Sequence, residues 1–357
     1  MGPCLSKQAA LIFPLPPTAG SSHSRPMTRP SEDDLIARYF APLAISAGAD
    51  GLNDDAAVVP PGEGDLVVTK DMVVAGVHFF PDDPPSSIVK KALRVNLSDL
   101  AAKGAKPAGF LLGLGLPPDW TEAFLEESAR GLAQDIEVFD CPLLGGDTVK
   151  MPGPLTLSVT AFGYAPRIVR RRGARPGDII AVTGTIGDGA LGLAVRAAER
   201  EPAKAPAWVA GLDDRHRALL ALRYMFPMPR VRAASAVAAF ASASMDVSDG
   251  LAGDLAKLLK ASGVGATAAI DDVPLSESAR GALALDPSLI RTVLTGGDDY
   301  ELLVTCPPDR FAAFASAVNA EGLDLTAIGR ITAGEGLVIS DRSGQAVDLG
   351  AGRFQHF

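Results

Sequence analysis

"SSIVKKALRVNLSDLAAKG", residues 86–104, reads as a helix patterned for burial and closed by Gly104 as a C-cap. Before it, "DLVVTKDMV" (65–73) alternates like a strand; after it, "AGFLLGLGLP" (108–117) is an apolar strand. That strand–helix–strand reading decides the class, because the same alternation continues outward in both directions. Towards the N-terminus, "DAAVVP" (55–60) reads as a further strand, and Ser31 can cap a helix carrying Leu35, Ile36, Tyr39 and Phe40. Towards the C-terminus come the amphipathic helix 121–139 and strands at "CPLLGG" (141–146) and "LTLSVTAFGYA" (155–165). The turn "RRRGARPGD" (170–178) then opens a second half, which begins with the strand "IIAVTGT" (179–185). Helices after Gly189 and around 215–225, a strand near "LLVTC" (302–306) and the helix 308–322 follow. The chain is α/β with mixed (α+β) sheets in two domains, 31–165 and 166–357.

Composition narrows the partners. The chain has 357 residues, 47% hydrophobic and 21% charged, which suits a globular body. A net charge of −9 without a basic stripe argues against nucleic acid. No apolar run approaches the ~20 residues of a membrane helix. Cys4, Cys141 and Cys306 show no paired spacing, which suits a reducing, cytoplasmic setting. Residues 1–30, Pro- and Ser-rich around "LIFPLPPTAGSSHSRP", read as a disordered extension without chemistry, with Met27 an alternative first residue.

Acids recur where apolar strands end or helices begin: Asp54 and Asp55, Asp71, Asp99, Asp147, Asp246 and Asp249, Asp298 and Asp299. Asn96 and Asp99, three apart, project together from the otherwise buried helix. Acids in such settings need a cation or many donors. These clusters hold almost no Lys or Arg, so a metal is the economical partner. Carboxylate oxygens without Cys ligands select Mg²⁺, Ca²⁺ or Mn²⁺. "GGD" at 145–147 and 296–298 offers turns where backbone N–H groups can approach an anion. A plainer reading makes each pair an ordinary turn, and makes Ser248 or Asp249 a helix cap. There is no P-loop, no dinucleotide fingerprint and no nucleophile elbow, and the histidines are His23, His78, His216 and His356. Metal-binding acids without an evident base fit phosphoryl transfer, which is mostly positioning and charge neutralisation.

Seven segments in order, "NDDAAVV", "TKDMVVAGVHF", "KALRVNLSDLAAKGAKP", "LLGGDT", "SMDVSDGLAGDL", "LTGGDDYELL" and "GRFQHF", resemble the thiamine-monophosphate kinase family. That family belongs to the aminoimidazole ribonucleotide synthetase-like ATP-binding superfamily, and the match runs from about residue 31 to the end. The resemblance implies the superfamily's two-domain fold and a homodimer through the N-terminal domains. It also implies transfer of the ATP γ-phosphoryl group to thiamine monophosphate with several Mg²⁺ ions. Position by position, it implies metal contacts at Asp55, Thr69, Lys70, Asp71, Asp99, Asp147, Asp246 and Asp249. Gly146, Asp147, Arg171 and Ser248 would meet the nucleotide; His78, Asp298 and Phe354 would face the thiamine phosphate.

No catalytic base is expected, since a phosphate monoester with a second pKa near 6 is already largely dianionic at neutral pH. The obstacle is charge: two facing dianions cost roughly 16 kcal/mol at 4 Å and an effective dielectric of 20. Three positions depart from the family pattern. Asn53 stands for a glycine, Lys70 for Thr or Ser, so that a metal contact there falls to its backbone, and Asp298 for Glu. Two rival readings remain at this point: a superfamily relative acting on an amide or carbonyl oxygen, and a non-catalytic Mg–nucleotide-binding protein. Selenophosphate-forming relatives are set aside, because Cys4 lies in the unmatched extension.

Overall fold

The computed structural model describes residues 30–341 and 343–347. The expected extension, apart from Pro30, and Phe354 lie outside the described residues. The capping box expected at Ser31 forms with Asp34, but the α-helix it starts, α1 (Glu32–Leu35), lasts one turn. The chain then widens into a π-turn over Ile36–Phe40 and tightens into a 3₁₀ turn at Ala41–Leu43, where Pro42 removes a backbone donor. The strand expected at 55–60 is absent: this segment runs irregularly. Only the Val58 N–H reaches back, 2.8 Å from the Gly48 carbonyl, before Pro60 and Pro61 exclude a ladder.

From there the strand–helix alternation is as expected. The first half contains β1 (Asp65–Val74), α2 (Pro85–Ala102), β2 (Lys106–Leu116), α3 (Glu122–Phe139), β3 (Leu143–Lys150) and β4 (Thr156–Ala165). The strands form one sheet in the order β1-β4-β2-β3, with β2 and β3 parallel and the other pairs antiparallel. One face packs on α2 and α3 through Leu93, Leu97, Leu100, Phe110, Leu125, Leu132 and Leu157, all essentially buried. Gly104 closes α2 with a left-handed φ of +75°. Its N–H bonds the Ala101 carbonyl, and the Ala105 N–H bonds that of Leu100, a Schellman closure.

The second half contains β5 (Ile179–Thr183), α4 (Asp188–Arg200), α5 (Ala207–Gly211), α6 (Asp214–Met225), α7 (Ala234–Phe240) and β6 (Ala243–Asp246). It continues with α8 (Leu251–Ser262), β7 (Gly265–Ala269), α9 (Glu277–Leu285), α10 (Ile290–Thr295), β8 (Leu302–Cys306), α11 (Pro308–Asn319), β9 (Leu325–Thr332) and β10 (Gly336–Ser340). Its six strands run in the order β10-β7-β9-β5-β8-β6. The end of α2 joins the halves: Ala101 and Ala102 are buried in a shared cluster with Val237, Leu302, Val304 and Phe314. Among the described residues no helix is long and apolar enough to cross a membrane.

Candidate active site at the domain junction

The register of β1 turns Thr69, Asp71 and Val73 towards α2 and leaves Lys70 and Met72 on the other face. Asp99 meets them from α2: the Thr69 hydroxyl donates to Asp99 Oδ2 at 2.6 Å. The Asp71 N–H donates to Asn96 Oδ1 at 3.0 Å, so the Asn96/Asp99 face of α2 reads β1 directly. From the second half, Asp246 at the end of β6 accepts from the Ser98 hydroxyl at 2.8 Å. Burial, then the neighbouring Asp99 charge and hydrogen bond, pushes Asp71 up to about 6. Burial followed by Asp99 likewise pushes Asp246 up to about 8. Lys103 faces Asp246 and Asp99, with Arg170 and Arg171 nearby, and burial lowers its pKa. Its ammonium donates to the Ser244 carbonyl at 2.9 Å.

The "SMDVSDG" turn differs in detail from a capped helix start. Neither Ser248 nor Asp249 caps α8, whose N-cap is Gly250. Instead Asp254, buried in the first turn, accepts the N–H groups of Ser248 and Asp249 at 3.0 and 2.9 Å. Those two donors are therefore occupied by the protein itself. Asp249 pairs with Lys257, which also bonds Asp254 Oδ1 at 2.7 Å. The second "GGD" lies against this turn: a Cβ at Gly297 would fall 2.1 Å from the Ser248 carbonyl oxygen. Glycine there permits a close approach of two backbones. The Asp298 N–H then donates to the Ser248 carbonyl at 2.9 Å.

The three acids of "GGDDYE" have three destinations. Asp299 is buried and accepts from the Gly187 and Gly189 N–H groups, at 2.7 and 2.9 Å, where α4 begins. Glu301, fully buried, holds Arg223 and Arg230 and accepts from the Thr183 hydroxyl at 2.8 Å. Asp298 alone points to the domain junction, where Lys91 Nζ lies 2.9 Å from its Oδ2. His78 is half-buried nearby: its Nδ1 accepts from the Val74 N–H at 3.1 Å, and its carbonyl accepts from the Tyr224 hydroxyl at 3.3 Å. Lys91 sits 3.7 Å above that same Tyr224 ring. Sequence reading missed Lys91, Tyr224 and Asp254. A lysine pair on a helix and a single acid one turn into another carry no spacing signal.

The remaining candidates stand apart. Met72, Ser158, Gly113 and Asp147 are successive register partners across the sheet, so Asp147 projects from the face opposite Asp71. Three strand spacings separate β1 from β3, on the order of 14 Å. Asp55, Gly146 and Asp147 line a separate cavity of about 700 Å³ beside Leu111, Gly113 and Thr160. Gly146 is tightly fitted there: a Cβ would meet the Leu112 carbonyl oxygen at 2.0 Å. Lys70 and Arg171 are exposed, while Ser248 and Asp249 are half-buried. Among the described residues no three His, Cys, Asp or Glu side chains close into a ready-made metal cage. Pairs of hard oxygen donors do converge, and two of these acids are biased towards protonation by burial and then by the Asp99 charge. That fits a hard divalent cation held by one or two carboxylates together with phosphate oxygens.

The comparisons with known proteins match this architecture. Residues 53–165 match the AIR synthase related protein N-terminal domain, and residues 175–342 match its C-terminal domain. A thiamine-monophosphate kinase of Caulobacter vibrioides is 43% identical over 315 residues, 86% of each chain. The crystal structure of thiamine-monophosphate kinase from Stenotrophomonas maltophilia superposes with a TM-score of 0.74 at 36% identity, covering 88% of this chain and 96% of that one. AaThiL complexed with AMPPCP and TMP superposes with a TM-score of 0.72 at 32% identity, covering 85% of this chain and 91% of that one. With both domain families matched in order and such relatives spanning most of its length, the chain belongs to the thiamine-monophosphate kinase family of AIR synthase related proteins.

Proposed function

We propose that the chain phosphorylates thiamine monophosphate with ATP, giving thiamine diphosphate, by direct in-line transfer assisted by Mg²⁺. The observation that carries the reading is the domain junction. There Asp71, Asp99 and Asp246 gather from three elements, with the Lys91–Asp298 pair two helical turns along α2. A relative of the same fold, solved with AMPPCP and TMP together, supports both substrates. Bound Mg²⁺ would supply charge neutralisation between the phosphates and orient their oxygens. The chain's own part is to hold it and to align the two anions. Asp71, Asp99 and Asp246, with the Thr69 hydroxyl, would hold cations at the junction, and Asp249, three residues past Asp246, would join them. Asp298 and His78 face the acceptor. Gly146, Asp147, Arg171 and Ser248 serve the nucleotide, and Asp55 and the Lys70 backbone complete the metal contacts.

The homodimer belongs to the same proposal. The sheet face away from α2 is uncovered and apolar on β1, where Leu66, Val68 and Met72 are 48, 53 and 50% exposed. The cavity lined by Asp55 and Asp147 opens on that face. A second copy seated there would bring one copy's Asp147 side towards the other's β1. Cys141 and Cys306, both free and buried, accord with a cytoplasmic setting.

Acceptor-dependent ADP release from the purified chain tests the function, with thiamine monophosphate and formylglycinamidine ribonucleotide compared, each with and without Mg²⁺. Turnover restricted to thiamine monophosphate and Mg²⁺ is expected. Turnover with the ribonucleotide instead would overturn the reading.

A further inference from the structure

We propose that Lys91 is a positioning residue of the acceptor pocket, holding the Asp298 carboxylate in place across the domain junction from its seat on the Tyr224 ring. The proposal rests on the reading of Asp298 as an acceptor-side residue, and it extends the site to a side chain with no role so far.

The geometry is over-determined for an ordinary ion pair. The Lys91 side chain is 3% exposed, whereas that of Asp298 is 27% exposed and so still accessible from solvent. The pair is asymmetric: Lys91 is enclosed and needs a counter-charge, which Asp298 supplies while its carboxylate stays partly open. Both oxygens of Asp298 are engaged: Oδ2 by Lys91 at 2.9 Å and Oδ1 by the Tyr300 hydroxyl at 3.1 Å. Asp298 and Tyr300 both have left-handed backbone, with φ of +70° and +53°. For a bulky aromatic residue that is a costly conformation, kept where surrounding structure demands it. The carboxylate is thus aimed by a strained turn and fixed by a lysine 207 residues earlier in the chain.

Lys91 also couples the acceptor side to the acids. Lys91 and Ser98 are seven apart on α2, hence on one face. Both reach into the second half, Lys91 to Asp298 and Ser98 to Asp246. At 1.5 Å per residue, α2 spaces the two attachments roughly 10 Å apart. The neighbouring Lys90 turns the other way, donating to Gln134 at 2.6 Å. Tyr224, beneath Lys91, also bonds the His78 carbonyl, so His78 and Asp298 are tied through one ring and one ammonium. Electrostatics gives the tie its purpose. A bare carboxylate repels a phosphate dianion, whereas a carboxylate neutralised by Lys91 keeps its acceptor oxygens without adding net negative charge.

The test compares Lys91→Met, Asp298→Asn and the double variant Lys91→Met/Asp298→Asn in the full-length chain. Steady-state kinetics follow each substrate, and AMPPCP binding is measured by calorimetry. Lys91→Met should raise KM for thiamine monophosphate by roughly tenfold or more. KM for ATP and AMPPCP affinity should stay within about twofold. The double variant leaves neither charge unpaired, so it folds even if Lys91→Met does not. It should lose no more acceptor affinity than Asp298→Asn alone. An unchanged acceptor KM in Lys91→Met, with a raised one in Asp298→Asn, overturns the proposal but leaves Asp298 at the acceptor. An unchanged acceptor KM in both variants removes Asp298 from the pocket and the proposal with it. Equal losses for both substrates would make the pair merely structural.

Discussion

Burial and one shared neighbour set the behaviour of Asp71 and Asp246. Asp99 sits between β1 and β6, and its charge adds to burial in raising both, to about 6 and about 8. Each acid therefore binds its proton more tightly in the folded chain than in the unfolded one, where the ordinary carboxylate value applies. Their stabilising contribution is fully present below about pH 4 and is lost as pH rises through about 6 and then about 8. Metal-free protein should lose thermal stability across that window on their account. Mg²⁺ held by these acids, as proposed, would displace those protons, so the Tm gain it brings should grow from about pH 5 to about pH 8. Thermal melts in EDTA and in excess Mg²⁺ across this range check it; a gain independent of pH would detach these acids from the metal. A second expectation concerns kcat. Asn keeps the shape of Asp but removes a charge, and losing one such stabilising group commonly costs about 10²–10³ in kcat. Asp71→Asn and Asp99→Asn should each do so, with the double variant far milder than their product because the two act on one cation group. Additive losses would separate the two residues.

At the scale of elements, two loops decide where these side chains point, and both depend on glycine. The 296–301 segment can lie on the 246–250 turn only because Gly297 has no Cβ to meet the Ser248 carbonyl. Gly297→Ala should force the loops apart, displacing Asp298 and Tyr300 together. A cost of about 1–3 kcal/mol is expected, a Tm drop of several degrees, with acceptor KM rising more than ATP KM. An unaltered Tm would show that the contact yields easily. These loops also mark how much was legible in the sequence. Long alternating strands such as β1 and β4 announce themselves, and Gly104 correctly marks the end of α2. "GATAA" in β7 has mostly small side chains and "GLVIS" in β10 is a short apolar run after a glycine; at five residues each, pairing with neighbours makes them strands. Acids were legible as a class. Periodicity alone does not tell which of Asp298, Asp299 and Glu301 faces the junction, because left-handed residues in the loop break any fixed spacing, and only the family resemblance singles out Asp298. The cap reading of Ser248 or Asp249 fails for a similar reason, since Asp254 takes their N–H groups from a turn away.

The whole molecule poses a problem that one copy does not solve. Asp71, Asp99 and Asp246 lie between the two halves, whereas Asp55, Gly146 and Asp147 line a cavity opening on the other face of the first sheet. Strand order forbids bringing Asp147 to Asp71 within a chain, since β4 and β2 intervene. If both groups serve one reaction, the uncovered face with Leu66, Val68 and Met72 must receive a second copy, and each site then draws Asp147 from the partner. Val68→Glu should accordingly shift the chain to a monomer in sedimentation and abolish turnover while leaving the far-UV spectrum unchanged. Mixing supplies the stricter measurement. Asp71→Asn and Asp147→Asn are each expected to be nearly inactive alone. Unfolded together and refolded, half of the dimers pair one variant with the other, and in each of these one site regains both wild-type acids. About a quarter of wild-type turnover should return. Sites complete within one chain would regain nothing on mixing, because every copy would still carry its own defect.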